Sequence, residues 1–426
     1  VKSPPRLFAG FRALRHRDYR LFFSGQLISL IGSWMQRLAQ SWLVLSLTHS
    51  PFSLGLVGAL QFLPMLVLLP FGGIIADRVS KRALLIGTQT SMMLLAFVLA
   101  ALVWANTVTY AEILILAFLL GLANVVDNPT RQAFVVEVVG PEDLTNAIAL
   151  NSTLFNMARL VGPAIAGLLI AGVGVAMCFF LNGVSFLAVI AGLILMRPTP
   201  APPRRASSMA AVRSDLSEGF DYVRHSKPVL AMIALVGAVG TFGINFNVIV
   251  PILAGTTLGV GAVGFGWLMS SLGAGSLAGS LWVAYQTKAP RARLILVAGA
   301  CFGVSLVLLS LARTYEVSLL LLALAGAGQI IFSAQANSFV QLLVPNRLRG
   351  RVMSIYMVFW AGTTPIGNAL VGWLAESSAA FGPFLLGGVA SIVAILAVVP
   401  SLWLGAEDQS QTAEKAAETA RGIGAG

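Results

Sequence analysis

The chain has 426 residues, 57% hydrophobic and 10% charged, with a formal net charge of +11. Ordinary soluble chains carry about 25% charged residues, so this composition, with a mean hydropathy of +0.87, excludes a water-soluble globular protein. The positive charge does not point to nucleic acid, because it follows membrane topology.

A spanning helix needs about 20 mostly apolar residues. Such runs fall at 21–47, 54–76, 83–105, 111–138, 145–171, 176–196, 228–254, 262–285, 291–312, 317–343, 351–376 and 381–404. They predict an all-α membrane protein of twelve transmembrane helices; membrane-barrel strands are shorter and alternate apolar with polar residues. With a cytoplasmic N-terminus, all but one (Arg313) of the 24 Lys and Arg in loops or at the ends of spans fall on the cytoplasmic side. That asymmetry orients helical membrane proteins and predicts that both termini are cytoplasmic.

In chain order, 1–20 is a basic cytoplasmic segment without a cleavable signal. Leu7, Phe11 and Leu14 predict an amphipathic surface helix over 6–20. Residues 21–196 form a six-helix bundle; 197–227 form a cytoplasmic linker; 228–405 form a second six-helix bundle; 406–426 form a cytoplasmic tail expected to be disordered. The linker opens on a proline-rich stretch and continues as an amphipathic helix carrying Leu216, Phe220 and Val223, with Ser214 as its expected cap. Cys178 and Cys301, in predicted helices 6 and 9, read as small packing residues.

The halves repeat. One shift places Gly162-Pro163 through Gly167 on Gly367-Asn368 through Gly372 and Phe134-Val135 on Phe339-Val340. Near the start of each half Gly55 falls on Gly264 and Arg82 on Arg291. Six-helix repeats about an axis along the membrane normal are a transporter architecture.

Polar residues recur in steps of three and four on corresponding helices. Helix 1 has Gln26, Ser29, Ser33, Gln36, Arg37 and Gln40; helix 4 has Asn124, Asp127, Asn128 and Arg131. Helix 7 has Thr241 and Asn245, and helix 10 has Gln329, Ser333, Asn337 and Gln341. Such spacing puts each set on one face, and a shared water-filled cavity explains all four. The ionisable residues inside the membrane are Arg37, Asp127, Arg131 and Arg159, all in the first half. Each costs about 2.5–3.5 kcal/mol at the bilayer centre on an insertion scale, so it marks a cavity, a pairing or a pathway. A structural reading stands beside the functional one: Asp127 neutralises Arg131, while Arg37 and Arg159 bond to backbone carbonyls and Arg159 braces helix 5. Pro129 predicts a kink between Asp127 and Arg131. The second half offers amides and aromatics, among them Phe242, Phe246, Phe332, Tyr356 and Trp360, which suit a bulky, partly apolar ligand or ordinary packing.

Enzyme chemistry has no footing. His16, His49 and His225 lie in predicted loops, and neither a metal-ligand cluster nor a nucleophile with a base appears. A phosphate loop of the ATP-driven pumps is also missing. No cofactor or metal is expected.

The run Gly72-Gly73-Ile74-Ile75-Ala76-Asp77-Arg78-Val79-Ser80-Lys81-Arg82 resembles the loop signature of the major facilitator superfamily. The resemblance implies that Gly73, Asp77, Arg78, Lys81 and Arg82 form a conformational latch steadying the outward-facing state. Ser80 replaces the usual glycine, and Gln286 stands at the Asp77 position of the second half. On helix 5, Gly162, Pro163 and Gly167 resemble the signature of the superfamily's antiporters, with Ala158 and Ala166 in place of two glycines. Ala117 stands where proton-coupled members often carry arginine.

Further likeness is carried by Phe11 through Arg20, Asp127 through Phe134 and Asn146 through Ser152. These stretches resemble the branch that holds bacterial enterobactin exporters and macrolide-efflux proteins. The resemblance implies a monomeric transporter of the bacterial inner membrane, exporting a siderophore or drug-like molecule by alternating access with proton antiport. Asp127 and Arg131 are the expected coupling pair. The expected cavity holds Gln26, Ser33, Arg37, Gln40, Asn124, Asn128, Arg159, Phe242, Asn245, Phe246, Gln329, Asn337, Tyr356 and Trp360. The alternative is a lipid or lysophospholipid flippase of the same fold.

Overall fold

A computed structural model describes residues 11–197, 209–286 and 290–401, without side-chain placement for 69–78, 209–216 and 361. The described residues contain helices and no strand. α1 (Arg17–Thr48) stops at His49, which takes the left-handed conformation (φ 52°), and α2 (Pro51–Arg78) starts directly. Ser50 accepts from the backbone N–H of Ser53, and Pro51 occupies the first turn, where its missing N–H costs nothing. α3 (Lys81–Trp104) is capped by Ser80, whose hydroxyl accepts from Ala83 N at 3.2 Å. The serine in place of the usual glycine thus works as a helix cap.

A reciprocal capping box between Thr109 and Glu112 opens the run Tyr110–Val173. This run is two helices, α4 (110–139) and α5 (141–173), folded at Gly140 (φ 70°, ψ 174°). Only glycine takes that conformation cheaply, and Pro141 is already set to begin a helix. Helical dihedrals continue through Pro129, and the reversal between α4 and α5 falls at Gly140. α6 is Val175–Leu195, α7 is Lys227–Thr257, α8 is Ala262–Ala284, α9 is Ala292–Leu311 and α10 is Tyr315–Leu343. α11 runs from Arg349–Met357 through a π turn (Val358–Gly362) to Thr364–Ser378, and α12 is Phe381–Ser401. Eight runs among the described residues are long and apolar enough to cross a membrane, one of them the folded α4–α5 pair. The striped α1, the small-residue-rich α8 and the interrupted α11 complete the twelve.

Two expectations change at the surface. The described part of the N-terminal segment is a 3-10 turn, Arg12–Arg15, rather than an amphipathic helix. It is tied down: Ala13 N donates to Asn146 Oδ1 at 2.9 Å, Tyr19 Oη donates to Ala147 O, and Arg12 and His16 both reach Asp143. Two stretches that resembled a family separately are here one contact. In the linker, Ser214 lies inside the helix Met209–His225 rather than at its start, because Met209 to Arg213 contains no helix breaker to stop it starting earlier. Arg347 and Arg351 pair with Glu218 of that helix, and the proline-rich stretch 198–208 and the tail 406–426 lie outside the described residues.

Small residues bring helices together at the end away from the N-terminal turn, called here the far end. Gly167 of α5 faces Gly266 of α8, where an added Cβ would come within 2.7 Å of Ala262 O. Gly372 of α11 faces Gly55 of α2, where a Cβ would meet Pro51 O at 2.8 Å. Close backbone approach through small residues is how helices bind in lipid, where water exclusion gives no drive. The repeated motif does the same work twice. Gly162 packs on α1 at Trp34 and Gly367 on α7 at Thr241, each the first helix of its own half. Gly167 and Gly372, their partners five residues on, each pack on the opposite half. Glu376 adds a polar tie: its carboxylate accepts from Phe52 N at 3.0 Å and from the Ser50 hydroxyl, at the electropositive start of α2.

Gly167→Leu is expected to cost about 1–3 kcal/mol by overpacking and to lower the melting temperature in detergent. Gly172→Leu, on the same helix with nothing within 4 Å, should not. Equal effects would remove the close approach as the cause.

Candidate functional site

The stripe on α1 opens a polar cleft. Ser29, Ser33, Gln36, Arg37 and Gln40 of α1 line it with Gln61 of α2, Asn124, Asn128, Arg131 and Gln132 of α4, Asn151 of α5 and Asn182 of α6. Met92, Leu120, Phe155 and Phe186 supply apolar wall. The space is about 1060 Å³ including the part open to solvent. Gly121 seats α4 against α2 at Gln61, and Gly162 seats α5 against α1 at Trp34.

Beneath the cleft lies a charged pair. Asp127 is fully buried, and its Oδ1 accepts from Thr88 Oγ1 and Gln89 Nε2 at 2.8 Å each. Its Oδ2 pairs with the Arg131 guanidinium one turn later. Arg131, 20% exposed, reaches the cleft and also donates to Gln26 Oε1 at 3.0 Å. Gln26 is thus a buried support of Arg131 instead of a wall residue. Sequence reasoning missed Thr88 and Gln89; their signal was the polar run Thr88-Gln89-Thr90-Ser91 inside the third span.

Arg37 and Arg159 converge on Trp34, their guanidinium carbons 4.7 Å and 5.7 Å from its ring centroid. Arg159 donates to Gln329 Oε1 at 3.2 Å, joining α5 to α10 across the halves. Side-chain amide, not backbone carbonyl, is the partner it found. Trp34 is buried and packs edge-on to Phe155.

The second half stands apart from this cleft. Phe246 is buried against Phe302, and Tyr356 lies in the apolar core. Asn245 donates to Thr241 O and Asn337 accepts from Gln341 Nε2. Phe242 and Trp360 are half-buried. Of the expected wall, the cleft therefore gathers Ser33, Arg37, Gln40, Asn124 and Asn128, while Phe246 and Tyr356 face the core because packing on α9 and its neighbours sets their helical phase. A smaller cavity links Arg37 and Gln40 to Asn247 of α7 and Asn368 of α11.

Around the loop signature, Lys81 is buried and paired with Glu137 of α4, and Arg82 donates to Ile194 O at the end of α6. The side chains of Gly73, Asp77 and Arg78 lie outside the described residues. Gly162, Pro163 and Gly167 serve helix packing outside the cleft.

Twelve helices, with a polar cleft and a buried charge pair in the first half, form the major facilitator fold of membrane transporters. Solved structures agree on the fold: the nucleoside transporter NupG superposes with TM-score 0.71 at 14% identity, covering 90% of this chain and 98% of that one. A POT family transporter matches with TM-score 0.71 at 14% identity, over 90% and 95%. Residues 8–419 match the transmembrane secretion effector family, and the chain belongs to it. Among curated relatives, the staphyloferrin A transporter of Staphylococcus aureus is 25% identical over 88% of this chain and 93% of its own. The multidrug efflux pump Tap of Mycolicibacterium fortuitum is 27% identical over 83% and 88%. The enterobactin exporter EntS of Escherichia coli is 24% identical over 89% and 92%. The chain is a multi-pass exporter of small molecules.

Removing one member of a buried pair strands the other, at about 3–5 kcal/mol. Arg131→Gln strands the fully buried carboxylate and should cost that much. Asp127→Asn should cost less, because Arg131 reaches water in the cleft. The double variant should lie well below the sum. Unfolding in detergent measures all three, and an equal cost for the two single variants would contradict this asymmetry.

Proposed function

We propose that this protein exports a siderophore-like or drug-like amphipathic molecule from the bacterial cytoplasm by alternating access, in exchange for protons. The observation that carries the reading is the Asp127–Arg131 pair under a cleft in a molecule whose far end is closed by α5–α8 and α2–α11. Substrate enters the cleft from the end that holds the basic loops, which the charge asymmetry assigns to the cytoplasm. A proton reaching Asp127 neutralises its carboxylate and releases Arg131, changing what the cleft offers its cargo. The units 21–196 and 228–405 then rock about the midplane in a single monomer, opening the far end. The buried Lys81–Glu137 pair and the Arg82 anchor support a latch at Asp77 and Arg78. The polar lining of the cleft favours this reading over a lipid flippase.

Uptake into inverted vesicles, with and without a proton gradient, across a siderophore, a macrolide and a lysolipid tests both substrate class and coupling. Asp127→Asn is expected to abolish the gradient dependence while the protein stays folded; unchanged gradient-driven uptake rejects the coupling role. Rocking has its own test. Glu376→Ala removes the tie between α11 and the start of α2, and spin labels at exposed Leu47 and Trp373 should then report a longer far-end distance. No change would assign closure to the glycine contacts alone.

A further inference from the structure

Three arginines lie in the interiors of the membrane-spanning helices of the first half, and one of them is accounted for. Arg131 has Asp127. Among the described residues, Arg37 and Arg159 make no ion pair with a carboxylate. Arg159 is buried, its Nε has no hydrogen-bond partner, and its one side-chain partner is the neutral amide of Gln329. Both guanidinium groups lie over the ring of Trp34. A ring face holds a guanidinium in place while leaving its in-plane N–H fork free for acidic oxygens. Two like charges held together in a low-dielectric interior without a counter-charge are costly, and no packing need explains the pair, because Trp34 is already seated by Phe155 and Gly162. Arg37 also borders both the cleft and the smaller cavity reaching α7 and α11. It therefore stands where the two spaces meet.

We propose that Arg37 and Arg159, set on Trp34, form a receptor for the acidic oxygens of the cargo, which is a small polyanion carrying at least two acidic groups. This rests on the export reading and narrows its substrate class. The cargo supplies the missing counter-charge, with Gln40 and Gln61 as neutral amides beside it in both spaces and Gln329 behind Arg159. A second consequence separates binding from bracing. In the empty protein Arg159 is a cost, so its removal stabilises; an Arg159 kept only to join α5 to α10 would destabilise on removal.

The test uses the purified full chain in phosphatidylcholine nanodiscs at constant chloride, with no gradient, so that it reads independently of proton-coupled export. The probes are tricarballylate, a small tricarboxylate, and its neutral trimethyl ester, followed by tryptophan fluorescence and melting temperature. Tricarballylate is expected to bind and raise the melting temperature, and the ester to do neither. Arg37→Gln and Arg159→Gln should each weaken tricarballylate binding about tenfold or more, and Arg37→Lys should retain part of it. Without ligand, Arg159→Gln should melt at or above the parent and Gln329→Leu should not mimic it. Binding of tricarballylate that both glutamine variants leave unchanged, equal binding of the ester, or no binding to the parent overturns the proposal. So does a lowered ligand-free melting temperature in Arg159→Gln matched by Gln329→Leu, which would make Arg159 a brace. Repeating the titration in phosphatidylglycerol nanodiscs identifies the source of the anion: competition by the lipid alone, with no effect of the tricarboxylate, would assign the site to a headgroup and overturn a small-molecule cargo.

Discussion

The molecule depends on backbone meeting backbone at two helix crossings, α5 on α8 and α2 on α11. In lipid, apolar side chains gain nothing by leaving their surroundings, so association comes from contact distance. Gly167 with Gly266 and Gly55 with Gly372 let main chains touch where any Cβ would push them apart. Because these contacts and the Glu376 tie lie toward the far end, the halves are joined there and the polar face of α1 is left to line a cleft. The same motif residues also seat α1 and α7 within their own halves, so the internal repeat is a repeat of packing work.

Charge is distributed by a different rule. A carboxylate inside a membrane protein must be paired, and Asp127 has three donors. The donors come from α3 and from its own helix, so the acid sits under the cleft and Arg131 is what the cleft presents. The two arginines on Trp34 have amide and ring partners only. Beside the cleft the first half therefore carries one balanced pair, Asp127 with Arg131, and two further positive groups, while Lys81 and Glu137 are paired at the loop signature. The second half contributes Gln329 and an apolar core, and its amides and aromatics are spent largely on helix contacts.

Much of this was legible in residue order. Span length, the one-sided distribution of Lys and Arg, and the glycine matches between halves all follow from local composition. The stripe on α1 also holds: Ser33, Arg37 and Gln40 line the cleft as their spacing requires. Helical phase was not legible where core packing decides it, so Phe246 and Tyr356 turned inward. Partners distant in sequence were equally hidden. Thr88 and Gln89 gained meaning only beside Asp127, Glu137 only beside Lys81, and Asn146 only beneath Ala13.

The sequence by itself determined a twelve-helix membrane transporter with its charges confined to the first half, because the bilayer imposes length, apolarity and charge asymmetry residue by residue. Only the tertiary structure decided that Lys81 pairs with Glu137 and Arg159 with Gln329, which end is shut and which helices face the cleft. Those outcomes depend on contacts between residues tens to hundreds of positions apart, set by which small residues allow two backbones to meet.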